Sequence, residues 1–285
     1  MRLSPSVLRH RFFAVALVLG LVCLPSLAVA SAWPQPEGHG LDVLTLSWYQ
    51  TGSIFTERWT RQPLAKDGRF FKSEVNNYLE YGLTSRVTLV GNFFYNPTIH
   101  FVDQTLNVQS SGFGDQELAV RYHLNPKSPL TAWSVQGLVK LPTYTASRNP
   151  PPGNSQTDYE IRVLNGHGWD VSGRHFYWNI EGAYRYRTEF PADELRLDAT
   201  LGADPFPGWT ILAQLYTIKG LRNGELVAVP GNPSVNPNFD LIKGQLSVLF
   251  RVTSAFRVQV GGFAPLAGRN TGAGEGMLLA IWWDF

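Results

Sequence analysis

The sequence predicts an all-β fold: a transmembrane antiparallel up-and-down β-barrel of about 12 strands. Three observations predict it. Segments in which apolar and polar residues alternate with period two recur along the chain, while no run of about 18 apolar residues follows the N-terminal stretch. Short connections alternate with mostly longer ones, as in bacterial outer-membrane barrels. The chain ends on a strand whose Met277, Leu279, Ile281, Trp283 and Phe285 share one face.

The N-terminus reads as a secretory signal peptide over residues 1–30, ahead of a barrel over residues 31–285. Arg2, Arg9 and Arg11 form a positive region, Phe12 to Val22 an apolar core, and Ala28-Val29-Ala30 a small-residue cleavage pattern after Pro25. The apolar core is shorter than the ~20 residues that a spanning helix needs. Cleavage after Ala30 or after Ala32 fits. The whole chain has 24 basic and 22 acidic residues; losing three Arg leaves 21 bases against 22 acids. That balance lacks the basic footprint of a nucleic-acid binder. Cys23, the one cysteine, falls in the signal, so the remainder has no disulfide or thiolate chemistry. The preceding Gly20-Leu21-Val22 lacks a lipoprotein cleavage box.

The expected strands, in order, are 40–50, 70–82, 85–96, 113–124, 130–141, 158–168, 174–187, 192–204, 208–218, 238–250, 254–264 and 275–285. The clearest alternation is in 194–203, where Leu195, Leu197, Ala199, Leu201 and Ala203 oppose Glu194, Arg196, Asp198 and Thr200. Segment 117–124 sets Leu118, Val120, Tyr122 and Leu124 against Glu117, Arg121 and His123, and 86–95 repeats the pattern with Val90 and Phe94 as apolar intruders. The first strand is the least regular, because Leu41, Val43, Leu44 and Leu46 do not alternate cleanly. Short turns fall at 83–84, 125–129, 169–173, 204–207 and 252–253; longer loops fall at 51–69, 97–112, 142–157, 219–237 and 265–274, with 188–191 a short exception. An even strand count puts both termini on the periplasmic side.

The composition agrees with this layout. Charged residues make up 16%, against about 25% in an average soluble domain. The chain has 9 Trp, 11 Tyr and 17 Phe, which cluster at strand ends as interfacial girdles would, and 27 Gly with 19 Pro to punctuate the strands. A soluble β-sandwich would also give each strand one apolar face, but its inward face is dry. Here the strands approach the 9–11 residues of a tilted membrane crossing, and Arg and Glu occupy mid-strand positions. The terminal Phe with alternate apolar residues resembles the signal read by the barrel-assembly machinery. That machinery and outer-membrane lipid are therefore the expected partners, and the outer membrane of a Gram-negative cell the expected location.

If the apolar faces meet lipid, the other faces line a lumen. The candidates are Glu74, Glu80, Glu117, Glu160, Glu181, Glu194 and Asp198, with Arg86, Arg121, Lys140, Arg162, Arg185, Arg196, Lys243 and Arg257. Seven acids against eight bases predict weak charge preference, with many charges paired across strands. Tyr78, Phe94, Tyr216 and Phe263 fall on the same register, as lumen filling or as stacking surfaces for solutes. Twelve strands enclose less space than the 16–18 of open porins, so the expected cargo is a small solute.

Enzyme signatures are scarce. The sequence has neither the His-Glu-x-x-His of zinc proteases nor a Gly-x-Ser-x-Gly elbow. His39, His100, His123, His167 and His175 show no metal-ligand spacing, and the glycine pairs at 38–40, 112–114 and 272–274 read as turns. No cofactor or metal is expected. Of the histidines, His100, near Ser110 and Ser111, is the tolerable centre for a lipid-active barrel enzyme. A passive porin-like channel for small solutes is the leading reading. The alternatives are a structural or accessory barrel with a closed lumen and a lipid-active enzyme.

One stretch carries a family resemblance. Glu80-Tyr81-Gly82-Leu83-Thr84-Ser85-Arg86, then Ser111-Gly112-Phe113-Gly114-Asp115, then Glu117 to Arg121-Tyr122, resembles the outer-membrane family labelled "MetA-pathway of phenol degradation". The close match covers about 45 residues. The resemblance implies transport of small, often hydrophobic or aromatic compounds. Physically, Gly82 suits a tight turn, Arg86 would face inward at the periplasmic rim, Gly112 and Gly114 allow a bend, and Asp115 would satisfy the amides freed there.

Overall fold

A computed structural model describes residues 32–128, 130–144, 147–153, 155–224 and 238–285. The proposed signal and Cys23 lie outside the described residues, as does most of the expected loop at 219–237. The strands in chain order are β1 (Gly40–Thr51), β2 (Ser53–Phe55), β3 (Arg61–Pro63), β4 (Arg69–Gly82), β5 (Val87–Val102), β6 (Asn107–Phe113), β7 (Asp115–His123) and β8 (Thr131–Pro142). They continue with β9 (Asp158–Val171), β10 (Arg174–Arg187), β11 (Glu194–Phe206), β12 (Trp209–Gly220), β13 (Asp240–Arg251), β14 (Phe256–Arg269), β15 (Thr271–Gly272) and β16 (Glu275–Asp284).

Twelve of these form a closed antiparallel barrel in the order β4-β1-β16-β14-β13-β12-β11-β10-β9-β8-β7-β5, and β5 returns to β4. All twelve expected strands are present, each starting within two residues of its expected span, with β5 and β14 running six and five residues past theirs. Closure runs through the first and last strands, with Leu41 opposite Asp284 and Gln50 opposite Glu275. A closed sheet leaves no unpaired edge, so every barrel strand can satisfy its ladder.

The pleat sorts the side chains. On β16 and the residue after it, Met277, Leu279, Ile281, Trp283 and Phe285 are 62%, 39%, 47%, 44% and 42% exposed, while Leu278, Ala280 and Trp282 are 6%, 1% and 6% exposed. Large apolar residues cover the outside of the other strands as well. At the end of the barrel with short turns, aromatic pairs form a belt: Trp209 with Phe250 at 4.8 Å, Trp283 with Phe285 at 5.2 Å and Trp169 with Phe176 at 5.9 Å. At the loop end, Tyr95 meets Phe113 at 5.4 Å.

The irregularity of β1 has a physical cause. Leu44, Leu46 and Trp48 point outward, while Leu41 and Val43 point inward and pack with Leu249, Ala280 and Trp282, backed by Tyr78. Period two is intact; the interior is itself apolar at this level. Two loops also carry more order than expected. β5 and β6 extend the 97–112 hairpin past the barrel, closed by Asp103, which accepts from the amides of Thr105 (2.6 Å) and Leu106 (2.7 Å). In loop 51–69, β2 pairs with β3 and with β15 to form a small sheet at the loop end.

Candidate functional site: the lumen

The barrel encloses a cavity of about 720 Å³. Its lining runs from Thr271 and Gly272 at the loop end to Gln136 and Trp282 deeper inside. Nine of the expected lumen charges line it: Glu74, Glu117, Arg121, Arg162, Glu181, Arg185, Arg196, Asp198 and Lys243. So do Tyr78, Phe94, Tyr216 and Phe263. Glu80, Lys140, Glu160, Glu194 and Arg257 are buried in the wall beside it. Arg86 is not among them. It is exposed in the turn after β4, just ahead of β5, with its carbonyl accepting from the His123 amide (2.8 Å).

One wall, from β7 to β11, is a ladder of ion pairs. Residues on one face recur every second position, and directly opposite residues on neighbouring strands come close, so like-facing charges meet across strands. Arg162 reaches Glu160 (2.8 Å), Asp198 (2.6 Å) and Glu181. Arg185 binds Glu160 (2.7 Å) and Glu117 (2.8 Å), and Arg196 binds Glu194 (2.6 Å). Toward the loop end, Arg187 joins Glu194 (2.8 Å), and Lys140 joins Asp158 (2.9 Å) and Asp115 (3.0 Å). Asp115 thus serves Lys140 and the Tyr144 hydroxyl (2.9 Å), not the amides near Gly114. Asp158 and Arg187 were missed by the sequence reading, although extending the period-two register of Glu160 and Arg185 by one rung points to both.

The opposite wall, from β12 through β14, β16 and β1, is mostly apolar and aromatic, with Tyr216, Leu241, Phe263, Pro265, Leu278 and Trp282 facing the cavity. Near its base, Arg257 holds Asp284 through both carboxylate oxygens at 2.7 Å.

The segment preceding β1 enters the barrel at the turn end. The Ala32 amide donates to Asn179 (3.0 Å), and its carbonyl accepts from Ser134 (2.6 Å). Gln35 donates to Glu80 (2.6 Å) through its side chain and to Thr88 (3.3 Å) through its amide. Two glycines make room. A Cβ on Gly166 would lie 2.4 Å from the Trp33 ring, and one on Gly82 would lie 2.1 Å from the Pro36 carbonyl. Gly82 is therefore the docking point of this segment and not part of the turn. Beneath Gln35, Glu80 is fully buried and binds Arg121 (2.7 Å) and Tyr78. Nothing in the alternation foretold this insertion, since 32–39 is too short and irregular to carry a period.

The fold has known relatives. The COG4313 outer membrane channel from Pseudomonas putida F1 superposes with a TM-score of 0.66 over 90% of this chain and 99% of that one, at 15% identity. The KdgM porin gives 0.51 over 85% and 99%, at 7% identity, and the NanC porin 0.50 over 85% and 98%, at 11%. This chain has the fold of outer-membrane channel barrels. No family model matches the sequence, and no curated protein matches it. The motif likeness described above therefore remains a resemblance.

The side chains of the enzyme reading have other partners. His100 Nε2 contacts Asn107 (2.9 Å), while Ser110 donates to the Pro150 carbonyl (2.6 Å). Among the described residues no cluster of three His, Cys, Asp or Glu is placed to hold a metal.

Proposed function

We propose that this chain is an outer-membrane channel that passes small solutes, including hydrophobic and aromatic ones, through its lumen. The observation that carries the reading is the cavity of about 720 Å³ along the barrel interior, between a wall of neutralised charge and an apolar wall. A volume of that size suits one small ligand at a time. Paired charges create little net field, which fits weak charge selection. The apolar outer faces and aromatic belts support placement in a bilayer, and the likeness to channel and porin folds supports the outer membrane. Met277, Leu279, Ile281, Trp283 and Phe285 serve in this reading as the assembly signal, with the barrel-assembly machinery as partner. Reconstitution into planar bilayers tests the channel. Stepwise conductance is expected, and its absence from correctly folded protein would refute the reading.

A barrel with a closed lumen is the second reading. The insertion of Ala32 to Gln35 at the turn end favours it. The same recording separates the two.

A further inference from the structure

Among the described residues, the cations lining the cavity are Lys72, Arg121, Arg162, Arg185, Arg196 and Lys243. Five of these have a carboxylate within 4.0 Å. Lys243 has none. Its Nζ instead lies 4.5 Å from the centre of the Tyr216 ring and 5.4 Å from that of Phe263. Glu74 and Asp198 are within its electrostatic reach, but Lys72 holds the first at 2.6 Å and Arg162 the second at 2.6 Å.

The backbone also singles out this position. The β13–β14 ladder shifts register between Ile242 and Lys243, and Pro265 stands opposite Lys243. The extra residue is Leu266 on β14, so β14 bends there, and Pro265 donates no ladder bond across to Lys243. The cation therefore stands at a break in the wall, on the apolar side of the cavity, with Tyr49 stacked on Phe263 beside it (6.3 Å). Aromatic faces hold an ammonium without neutralising it, so its charge remains available to an anion.

We infer that Lys243, with Tyr216 and Phe263, forms a binding site for the carboxylate of an amphipathic monocarboxylic acid whose aryl or alkyl body lies on the apolar wall. This deepens the channel reading and rests on it for its physiological sense. The ammonium supplies the charge for the carboxylate, and the rings and Leu241 supply surface for the body. A neutral isostere keeps the second contact and loses the first.

The test is calorimetric binding of 3-phenylpropionate and 3-phenylpropanamide to the full chain in nanodiscs, with empty nanodiscs subtracted. Wild type is expected to bind the acid about tenfold tighter than the amide, equivalent to about 1.4 kcal/mol. Lys243→Met should abolish that difference by weakening the acid far more than the amide, while Lys243→Arg should keep most of it. Heat-dependent gel mobility checks that both variants fold. Equal binding of acid and amide by wild type, or an undiminished acid preference in Lys243→Met, would overturn the inference. Anion flux in proteoliposomes separates the two readings. Lys243-dependent binding without flux removes the channel alone, and flux without Lys243-dependent preference removes this site alone.

Discussion

The Glu80–Arg121 pair allows a quantitative test of the interior. The side chains are 0% and 3% exposed and meet at 2.7 Å. Tyr78 and Gln35 also donate to the same carboxylate. Glu80→Leu removes the carboxylate and leaves the guanidinium beside the amide oxygen of Gln136 (3.1 Å). Breaking one side of a buried ion pair costs about 3–5 kcal/mol, because the remaining charge stays desolvated. Glu80→Leu should therefore destabilise the barrel by about that amount. The double variant Glu80→Leu/Arg121→Leu should recover most of the loss, since an apolar replacement of a whole pair is often near neutral. Reversible urea unfolding from lipid, followed by tryptophan fluorescence, measures both changes. A loss below about 1 kcal/mol would place the pair in the regime of solvent-exposed bridges. Additive effects in the double variant would show that the two residues are not coupled. Either result refutes the picture of a buried, mutually dependent charge pair in the barrel wall.

Other predictions address the lumen, the inserted segment, a loop and the lipid face. Arg162→Met leaves Glu181 and Asp198 without their shared cation, so reversal potentials should shift toward cation preference; Arg162→Lys should largely preserve the wild-type value. Gly166→Leu places atoms where the Trp33 ring lies, so it should release residues 32–38, raising both their hydrogen exchange and the conductance. In the loop between β10 and β11, burial raises the Asp193 carboxyl. The Arg187 amide (2.8 Å), the Asn223 side chain (2.8 Å), the Tyr184 hydroxyl and the Arg187 charge outweigh burial and hold it below the usual range. A depressed carboxyl stabilises above its unfolded value, about pH 4, and that stability is lost as pH falls through the lowered folded value. Protection of the amides in 188–193, taken relative to their intrinsic exchange rate at each pH, should therefore fall as pH drops below about 4, and Asp193→Asn should remove the dependence. Leu279→Arg puts a charge on the lipid face and should cost about 2–4 kcal/mol if that site lies at the bilayer centre, as urea titration would show.

The sequence made the strand count and the facing of most strands legible, because both follow from a local period of two. Glu194 to Ala203 alternates so cleanly that β11 could be placed and oriented unaided. β1 was harder for a reason now evident. Leu41 and Val43 enter an apolar interior cluster, so both faces of the strand look alike in sequence. Arg86 was misplaced because its turn is two residues longer than the motif suggests, so it sits in the exposed turn although the facing of the strand that follows is unchanged. The pairing of charges was foreseeable in kind, but not which groups pair. Arg185 meets Glu117, which lies 68 positions away in sequence and three strands round the barrel. The isolation of Lys243 and the inserted N-terminal segment depend on the closed barrel and have no local signature.

The central claim is that solutes move through the interior of this barrel, so the direct test is to record wild type and an interior-blocking variant side by side. Ala119 is 7% exposed and lines the cavity, so Ala119→Trp would put a bulky ring into the path. In planar bilayers, wild type should give reproducible conductance steps that shrink or vanish in Ala119→Trp, with both proteins folded by heat-dependent gel mobility. No steps from folded wild type, or steps unchanged by Ala119→Trp, would contradict the claim.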